Sequence, residues 1–539
     1  MPLADRRWGA RFRLVVAALA ILVCGGIALG GATVDSAVLV SAPRTAASAT
    51  IAHGQRQGPF ALVLVVDAAR PDQFDLRRMP NLARLVRGGT QYARAWVGQL
   101  PSITETSHAT IGTGVLPSRH LVLGDTWRVP GKDQMSPNLL SAQLDRTGYI
   151  GNFIKQTGSP SMAAMVHQHF PGSIVVALSG HKIYAADDLG AGSADFVAFG
   201  NTNSRQHYVP GAIPGHQPSQ SILTSSQLDL PSYPRQPGIE DGWATTLTEK
   251  FLFKYHPRLM MVNLPEVDVT GHLVGTNATV MQPLFANVDR QIGRLVAAYG
   301  RAGMLSQTYM IITSDHAMIP ALHTVKSTRI EQIILQAGGK PLYVGHGDYC
   351  PIWLKNVAAV PQVAFALGNA NIPNVAAVFM KNPNGGYDLV SSPSRLSQPA
   401  VSQAYSDLLA TFNSPESADI VLMYDESTIT MTPTFQRIGR KGDHGGATWG
   451  AQHIPLVITG PGVRQGYTSE YPARLVDIAP TLETLLGIRP QHQDGVPLAD
   501  AMLRPPSWAV AAQNRVSAQL SADVTELQRE AASQPNATT

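Results

Sequence analysis

The sequence predicts an α/β fold, a mostly parallel sheet sandwiched by helices, with a small α+β cap inserted late in the chain. Four short apolar runs of strand-like length suggest the sheet, and helical patterns separate several of them. Acids and histidines fall at the ends of those same runs, where ligands of open α/β sheets bind. Alternating strands and helices imply parallel strands covered on both faces.

The first run is FALVLVV, residues 60–66, ending at Asp67. MPNLARLVRGG follows as a helix, with Pro80 at its start, Leu82, Leu85 and Val86 on one face, and glycines to stop it. RLMMVNL (258–264), TYMIITS (308–314) and IPLVITG (454–460) are three further strands, and SPNLLSAQLDRTG and VDRQIGRLVAAYG are helical patterns between them. Residues 196–240, rich in Pro, Ser, Gln and Gly, read as a long surface excursion. Residues 340–435 hold PIWLKN, a helix-like VPQVAFALGNA and NVAAVFMK, the pattern of a βαβ insertion or cap. The expected catalytic domain spans 58–505, followed at 506–539 by a helical tail and a polar end, with Val516, Leu520, Val524 and Leu527 on one helix face.

The 539 residues are 44% hydrophobic and 14% charged, a globular composition. Much of the formal charge of +4 sits in Arg6, Arg7, Arg11 and Arg13, opposed locally only by Asp5. The near-neutral remainder argues against a broad nucleic-acid surface, which needs clustered lysine and arginine. The arginines precede an uncharged apolar run, LVVAALAILVCGGIALG (14–30), at the lower edge of spanning length. Residues 1–32 therefore read as a secretory signal peptide cleaved near Ala32, or as an uncleaved anchor, and 33–57 as a linker. Cleavage would remove Cys24 and leave Cys350 without a disulfide partner, so metals and core packing must supply the stability of an exported protein.

Asp67 ends the first strand. Asp268 and His272 follow the second in EVDVTGH, Asp315 and His316 end the third in ITSDH, and His444 lies in GDHGG before the fourth. Each piece alone is an ordinary cap or turn. Together, carboxylates and imidazoles converging on one sheet edge form an oxygen and nitrogen site suited to zinc. The segment LPSITETSHATIGTGVLPSRH is crowded with hydroxyls, which by themselves indicate only a helix start.

That segment resembles the nucleotide pyrophosphatase/phosphodiesterase branch of the alkaline phosphatase superfamily and its threonine-nucleophile phosphatases. Thr104, His108, Thr113-Gly114, Pro117 and His120 match the branch pattern in order, and the resemblance runs from about Phe60 to Leu503, with RLVDIAPTLETLLGI matching the usual closing helix. It implies an alkaline phosphatase-like core and Thr104 as nucleophile, with Ser102, Thr106 and Ser107 as the alternatives. By position, Asp67, Asp315 and His316 would bind one zinc together with the Thr104 oxygen, and Asp268, His272 and His444 a second. The implied activity is phosphoric ester hydrolysis through a phosphothreonine, on a small phosphate ester or nucleotide, outside the cytoplasm. Two zinc ions would activate the threonine and stabilise the leaving oxygen, with no side-chain base required.

Two departures bear on substrate. Where the family has an asparagine donating to a phosphoryl oxygen, this chain has Asp125, which must be neutralised, turned away or misaligned. The monoesterase subgroup carries a Lys-x-Arg pair that grips free phosphoryl oxygens, and IKQTGS offers Lys155 with Thr157 in place of arginine. Both point to a diester or nucleotide pyrophosphate substrate, with a phosphomonoesterase as the alternative and a non-catalytic metal-bound binding module behind it. A sulfatase would need a modifiable Cys or Ser where VLPSR begins with Val115.

Overall fold

Phe60–Val66 is the spine of the larger sheet, and all seven of its residues are buried. Successive side chains leave a strand on opposite faces. Ala61, Val63 and Val65 accordingly join one apolar cluster, while Phe60, Leu62, Leu64 and Val66 join another. Burial on both faces is why the sequence shows an unbroken apolar run there. The computed structural model describes residues 58–139, 149–199, 211–212, 240–392 and 399–534.

The spine pairs in parallel with Leu259–Leu264 on one side and Thr308–Thr313 on the other. Val175–Ser179 and Phe196–Phe199 extend the first side, also in parallel, and Gly211–Ala212 closes it. Leu456–Thr459 lies antiparallel beyond Thr308–Thr313, followed by Gly89–Tyr92 and Tyr467–Ser469, to complete nine strands. Helices Thr104–Thr113, Met162–His169, Ile183–Gly190 and Ile478–Leu485 feed the cluster on one face. Pro80–Arg87, Glu240–Tyr255 and Ala278–Arg301 feed the other. This is the mostly parallel, doubly covered sheet expected from the sequence.

Two expectations change. The fourth apolar run forms a strand that runs against its neighbours, so its first residue, not its last, meets the carboxyl edge of the parallel strands. The stretch 196–240 is not all surface, since Phe196–Phe199 is a buried strand of the sheet. The rest of that stretch, apart from Gly211–Ala212 and Glu240, lies outside the described residues. So do the apolar segment 14–30, the linker 33–57 and most of the helical pattern at 136–148.

The second sheet has the order Pro341–Val344, Tyr349–Leu354, Ile420–Tyr424, Val375–Lys381, Tyr387–Ser391, each neighbour antiparallel. Tyr349–Leu354, helix Val360–Asn369 and Val375–Lys381 do form a β-α-β crossover, split by Ile420–Tyr424 between the two strands. Helices Ser327–Gln336 and Val360–Asn369 cover one face. Pro399–Ala410 and the tail helix Ser507–Ala532 cover the other, through Leu408 and Tyr405 against a stripe of Leu520, Val524 and Leu527. The tail is thus part of this core.

Leu64 is 1% exposed at the centre of the larger sheet. Leu64→Ala should cost roughly 2–5 kcal/mol, seen as a lower urea midpoint with an unchanged slope. Leu335→Ala, at a residue 60% exposed, should change stability by under about 0.5 kcal/mol.

Candidate active site

Four adjacent strands end at one edge, in the spatial order Thr308–Thr313, Phe60–Val66, Leu259–Leu264, Val175–Ser179. The residues that follow them are Asp315, Asp67, Asp268 and Lys182, so parallel register alone delivers three carboxylates and an ammonium to one place. His444 arrives from the loop before the antiparallel strand Leu456–Thr459, whose start lies at the same edge. All these residues are buried except His444, which is half-buried.

Thr104 opens the helix Thr104–Thr113, every residue of which is buried. Its hydroxyl oxygen lies 3.2 Å from His316 Nε2 and accepts from Lys182 Nζ at 3.1 Å. A helix N-terminus offers free N–H groups and a positive dipole end to an anion. The alternative hydroxyls do not reach this cluster. Ser102 donates to Gly446 O, and the hydroxyls of Thr106 and Ser107 are buried without a partner among the described residues.

The rest of the segment holds Thr104 in register. Burial lowers His108 to about 4, so its ring is neutral, and Nδ1–H donates to Thr104 O at 2.7 Å beside Asp315 Oδ2 at 3.5 Å. His120 Nδ1 accepts from Val122 N, so its Nε2–H faces Thr110 Oγ1 at 3.0 Å, whose own proton goes to Gln99. Gly114 closes the helix at φ +71°, where a Cβ would press on Gln493 and Ala479. The motif histidines are therefore braces of the helix.

Asp315 and Asp67 each have one oxygen held by a supporting group and another turned inward, whereas both oxygens of Asp268 face the cluster. Asp315 Oδ1 accepts from Ala68 N and His316 N, leaving the buried Oδ2 without a hydrogen-bond donor. Asp67 Oδ2 accepts from Asn263, and its Oδ1 faces Lys182 at 2.9 Å. Asp268 Oδ2 lies 2.7 Å from Lys182 Nζ, while Oδ1 lies 3.3 Å from His272 Nε2 and 3.4 Å from His444 Nε2. His272 Nδ1–H donates to Gly442 O, which fixes the tautomer and presents Nε2 to the cluster.

Burial lowers His316 and His444 to about 3, keeping both rings neutral, the form that binds metals. Burial, with Asp315 adding repulsion, raises Asp67 to about 7. Burial would also raise Asp268, but His272 and Lys182 together hold it well below the ordinary carboxylate range. Lys182 is desolvated too, yet Asp268 and Asp67 keep it charged. Three donor triads result: Asp67–Asp315–His316, Asp268–His316–His444 and His272–Asp443–His444, the ligand atoms of each lying within 4.8 Å of one another. Buried carboxylates with free oxygens beside neutral imidazoles fit a pair of divalent cations. Asp443 joins the expected set.

The structure does not bring Lys155 to the cluster. It sits exposed in the last turn of helix Tyr149–Gln156, and Thr157 donates to Ile154 O as a helix stop. The lysine found at the cluster is Lys182, on Asp67, Thr104 and Asp268, with Tyr184 two residues on. Burial keeps the Tyr184 hydroxyl neutral, with Lys182 opposing and Glu105 and Asp67 reinforcing that effect. Asp125 Oδ2 lies 3.4 Å from His346 Nε2. Burial and then Asp125 push Glu105, next to Thr104, well above the ordinary carboxylate range. Lys182 was legible in principle, because it follows a sheet strand, VVALS, as the three acids do.

Residues 61–447 match the family of type I phosphodiesterases/nucleotide pyrophosphatases. Alkaline phosphatase PhoD of Zymomonas mobilis is 22% identical over 525 residues, covering 82% of this chain and 88% of that protein. Murine ectonucleotide pyrophosphatase/phosphodiesterase 5 in complex with AMP superposes with a TM-score of 0.58 at 16% identity, covering 83% of this chain and 100% of that one. Wild-type alkaline phosphatase PafA gives 0.62 at 14% identity, covering 82% and 99%. At such identities the solved structures speak to the fold alone. The matched family, spanning most of the chain, shows that this protein belongs to the type I phosphodiesterases/nucleotide pyrophosphatases of the alkaline phosphatase superfamily and is a metal-dependent phosphoric ester hydrolase.

Proposed function

We propose that the chain is an exported two-zinc phosphodiesterase or nucleotide pyrophosphatase acting through a phosphothreonine on Thr104. The observation that carries this is the Thr104 hydroxyl, set at a helix start against His316 and Lys182 and beside the Asp67–Asp315–His316 triad. Asp67, Asp315, His316 and Thr104 would hold one zinc, and Asp268, His272 and His444 the other, with Asp443 within reach. Such ions supply the charge that lets Thr104 release its proton near neutral pH and that stabilises the leaving oxygen. Thr104 Oγ then bonds to phosphorus as the opposite P–O bond breaks, and the leaving oxygen carries off that electron pair. Water attacks from the vacated side, the P–Oγ bond breaks, and Thr104 is restored. Lys182, held charged, can turn from Asp67 and Asp268 to a phosphoryl oxygen. The basic, apolar start of the sequence supports export, and the AMP complex of the murine relative supports a nucleotide substrate.

Substrate class follows from charge. A monoester brings two negative charges and needs dense positive charge beyond the metals, whereas a diester brings one. Here the residue two after Lys182 is the neutral Tyr184 rather than an arginine, and Asp125 replaces an asparagine. At an effective dielectric of 20, a unit charge at about 4 Å is worth roughly 4 kcal/mol, so the exchange disfavours a dianion. Lys182 at the cluster favours the second reading, a phosphomonoesterase, and a panel of p-nitrophenyl phosphate, bis-p-nitrophenyl phosphate and p-nitrophenyl thymidine 5′-monophosphate decides between them. The diesters should give the higher kcat/KM. A clear preference for p-nitrophenyl phosphate would reverse the assignment.

The purified protein should carry about two zinc ions per chain and lose both activity and thermal stability to a chelator. Full activity after demetallation would overturn the metal reading. His316→Ala should weaken the nucleophile-side ion, and His272→Ala the other, by metal analysis.

Thr104→Ala should lower turnover by orders of magnitude with zinc content and folding near normal, and Thr104→Ser should keep part of the activity. Phosphate trapped on Thr106 or Ser102 after acid quench would displace Thr104 from its role. Lys182→Ala should harm monoester hydrolysis more than diester hydrolysis, and Asp125→Asn should raise the monoester rate.

A further inference from the structure

A chain of contacts runs from Asp125 to the His272–Asp443–His444 triad. His346 Nε2 lies 3.4 Å from Asp125 Oδ2 at one end. The His346 ring meets Phe435 edge-on at 4.8 Å, and the Arg440 guanidinium carbon lies 4.0 Å from the Phe435 centroid. Arg440 then gives a 2.7 Å hydrogen bond to Asp443 Oδ1 and lies 3.2 Å from His272 Nε2. It is 12% exposed at its side chain.

In-line displacement puts the leaving atom opposite the nucleophile. Thr104 stands at the Asp67–Asp315–His316 end, so the leaving group departs at the His272–His444 end, where Arg440 lies. Arginine has five N–H donors in a fixed fork. The contacts to Asp443 and His272 use one terminal nitrogen, and the buried Nε has no hydrogen-bond partner among the described residues. Stacking on Phe435 and the ion pair with Asp443 fix the guanidinium before any ligand arrives, which reduces the ordering cost of binding. An alcohol or phenol leaving group has no acidic oxygens for this fork. A leaving phosphate has several, and guanidinium binds phosphate in a bidentate, charge-assisted way.

We infer that Arg440, laid on Phe435 at the His272 end of the cleft, is the specificity contact for a negatively charged leaving group, which selects phosphoanhydrides over diesters with uncharged leaving groups. This rests on the phosphodiesterase reading above and names the bond class within it. The reaction is the one already written, with a nucleoside monophosphate as the group that takes the electron pair of the broken P–O bond.

The test compares kcat/KM for di(adenosine-5′) pyrophosphate and for p-nitrophenyl thymidine 5′-monophosphate in the zinc-loaded wild type, Arg440→Gln and Arg440→Lys. Arg440→Gln should lower the pyrophosphate value roughly 10- to 100-fold and the p-nitrophenyl ester value by less than about threefold, with Arg440→Lys between. In a Thr104→Ala background, calorimetric titration with α,β-methylene-ADP should show weaker binding when Arg440→Gln is added, at unchanged zinc content. Equal losses on both substrates, or unchanged binding of the analogue, would reduce Arg440 to a brace for Asp443 and His272 and overturn the inference while leaving the phosphodiesterase reading intact. A wild type that hydrolyses neither substrate would take down that reading and this one together.

Discussion

Negative charge buried at one sheet edge is the constraint on which the rest of the site depends. Asp67, Asp268 and Asp315 are each at most 3% exposed, and isolated buried carboxylates are expensive unless paired or bound to a cation. One lysine sits among them, bonded to two of the three acids. Burial first, and then the repulsion of Asp315 that one lysine does not cancel, raises Asp67 towards neutrality, and carboxylate oxygens of Asp268 and Asp315 are left without hydrogen-bond partners among the described residues. Divalent ions resolve that repulsion and, in excess, make the same pocket attractive to phosphate. The sheet can hold such a cluster because nearly all its strength comes from the apolar faces behind it, where the strands are buried on both sides.

The precision of the cluster comes from its supports. Backbone N–H groups of Ala68 and His316 hold Asp315, Asn263 holds Asp67, and Gly442 O sets the His272 ring. His108 links the Thr104 carbonyl to the Asp315 carboxylate and so ties the helix start to the carboxylate cluster. Such supports fix the protonation state and aim of each donor before metal or substrate arrives.

The core and the cluster were legible because two signals coincide: unbroken apolar runs mark strands buried on both faces, and chemistry-bearing residues sit where the runs stop. The same rule failed for Lys182. Its strand, VVALS, is five residues long and does not stand out as an apolar run, and the lysine of IKQTGS, which the pattern offers, ends a surface helix. His444 lies at that edge although the strand after it is antiparallel, because a loop before an antiparallel strand and a loop after a parallel one reach the same edge. Asp443, His346, Phe435 and Arg440 carried no sequence signal. Asp443 is set by the pairing of Gly442–Asp443 with Ile319–Pro320, and His346, Phe435 and Arg440 reach it through tertiary contacts that spacing along the chain does not encode.

The distribution of charge along the cleft then gives the substrate a direction. Near Thr104 the neighbours are Lys182, neutral Tyr184 and Glu105, whose carboxyl burial raises, and Asp125 faces His346. Away from Thr104 the added cation is Arg440, steadied by Asp443. An ester with all its charge on the transferred phosphoryl group would meet the buried Lys182 ammonium at the Thr104 end. An anhydride spreads its charge across the bond to be broken, with one phosphate at the Thr104 end and the other towards the guanidinium. As that bond breaks, negative charge grows on the departing phosphate, on the side where the fixed cation already stands. An interaction that strengthens as charge develops stabilises the transition state more than the bound substrate, and such a difference raises turnover as well as affinity.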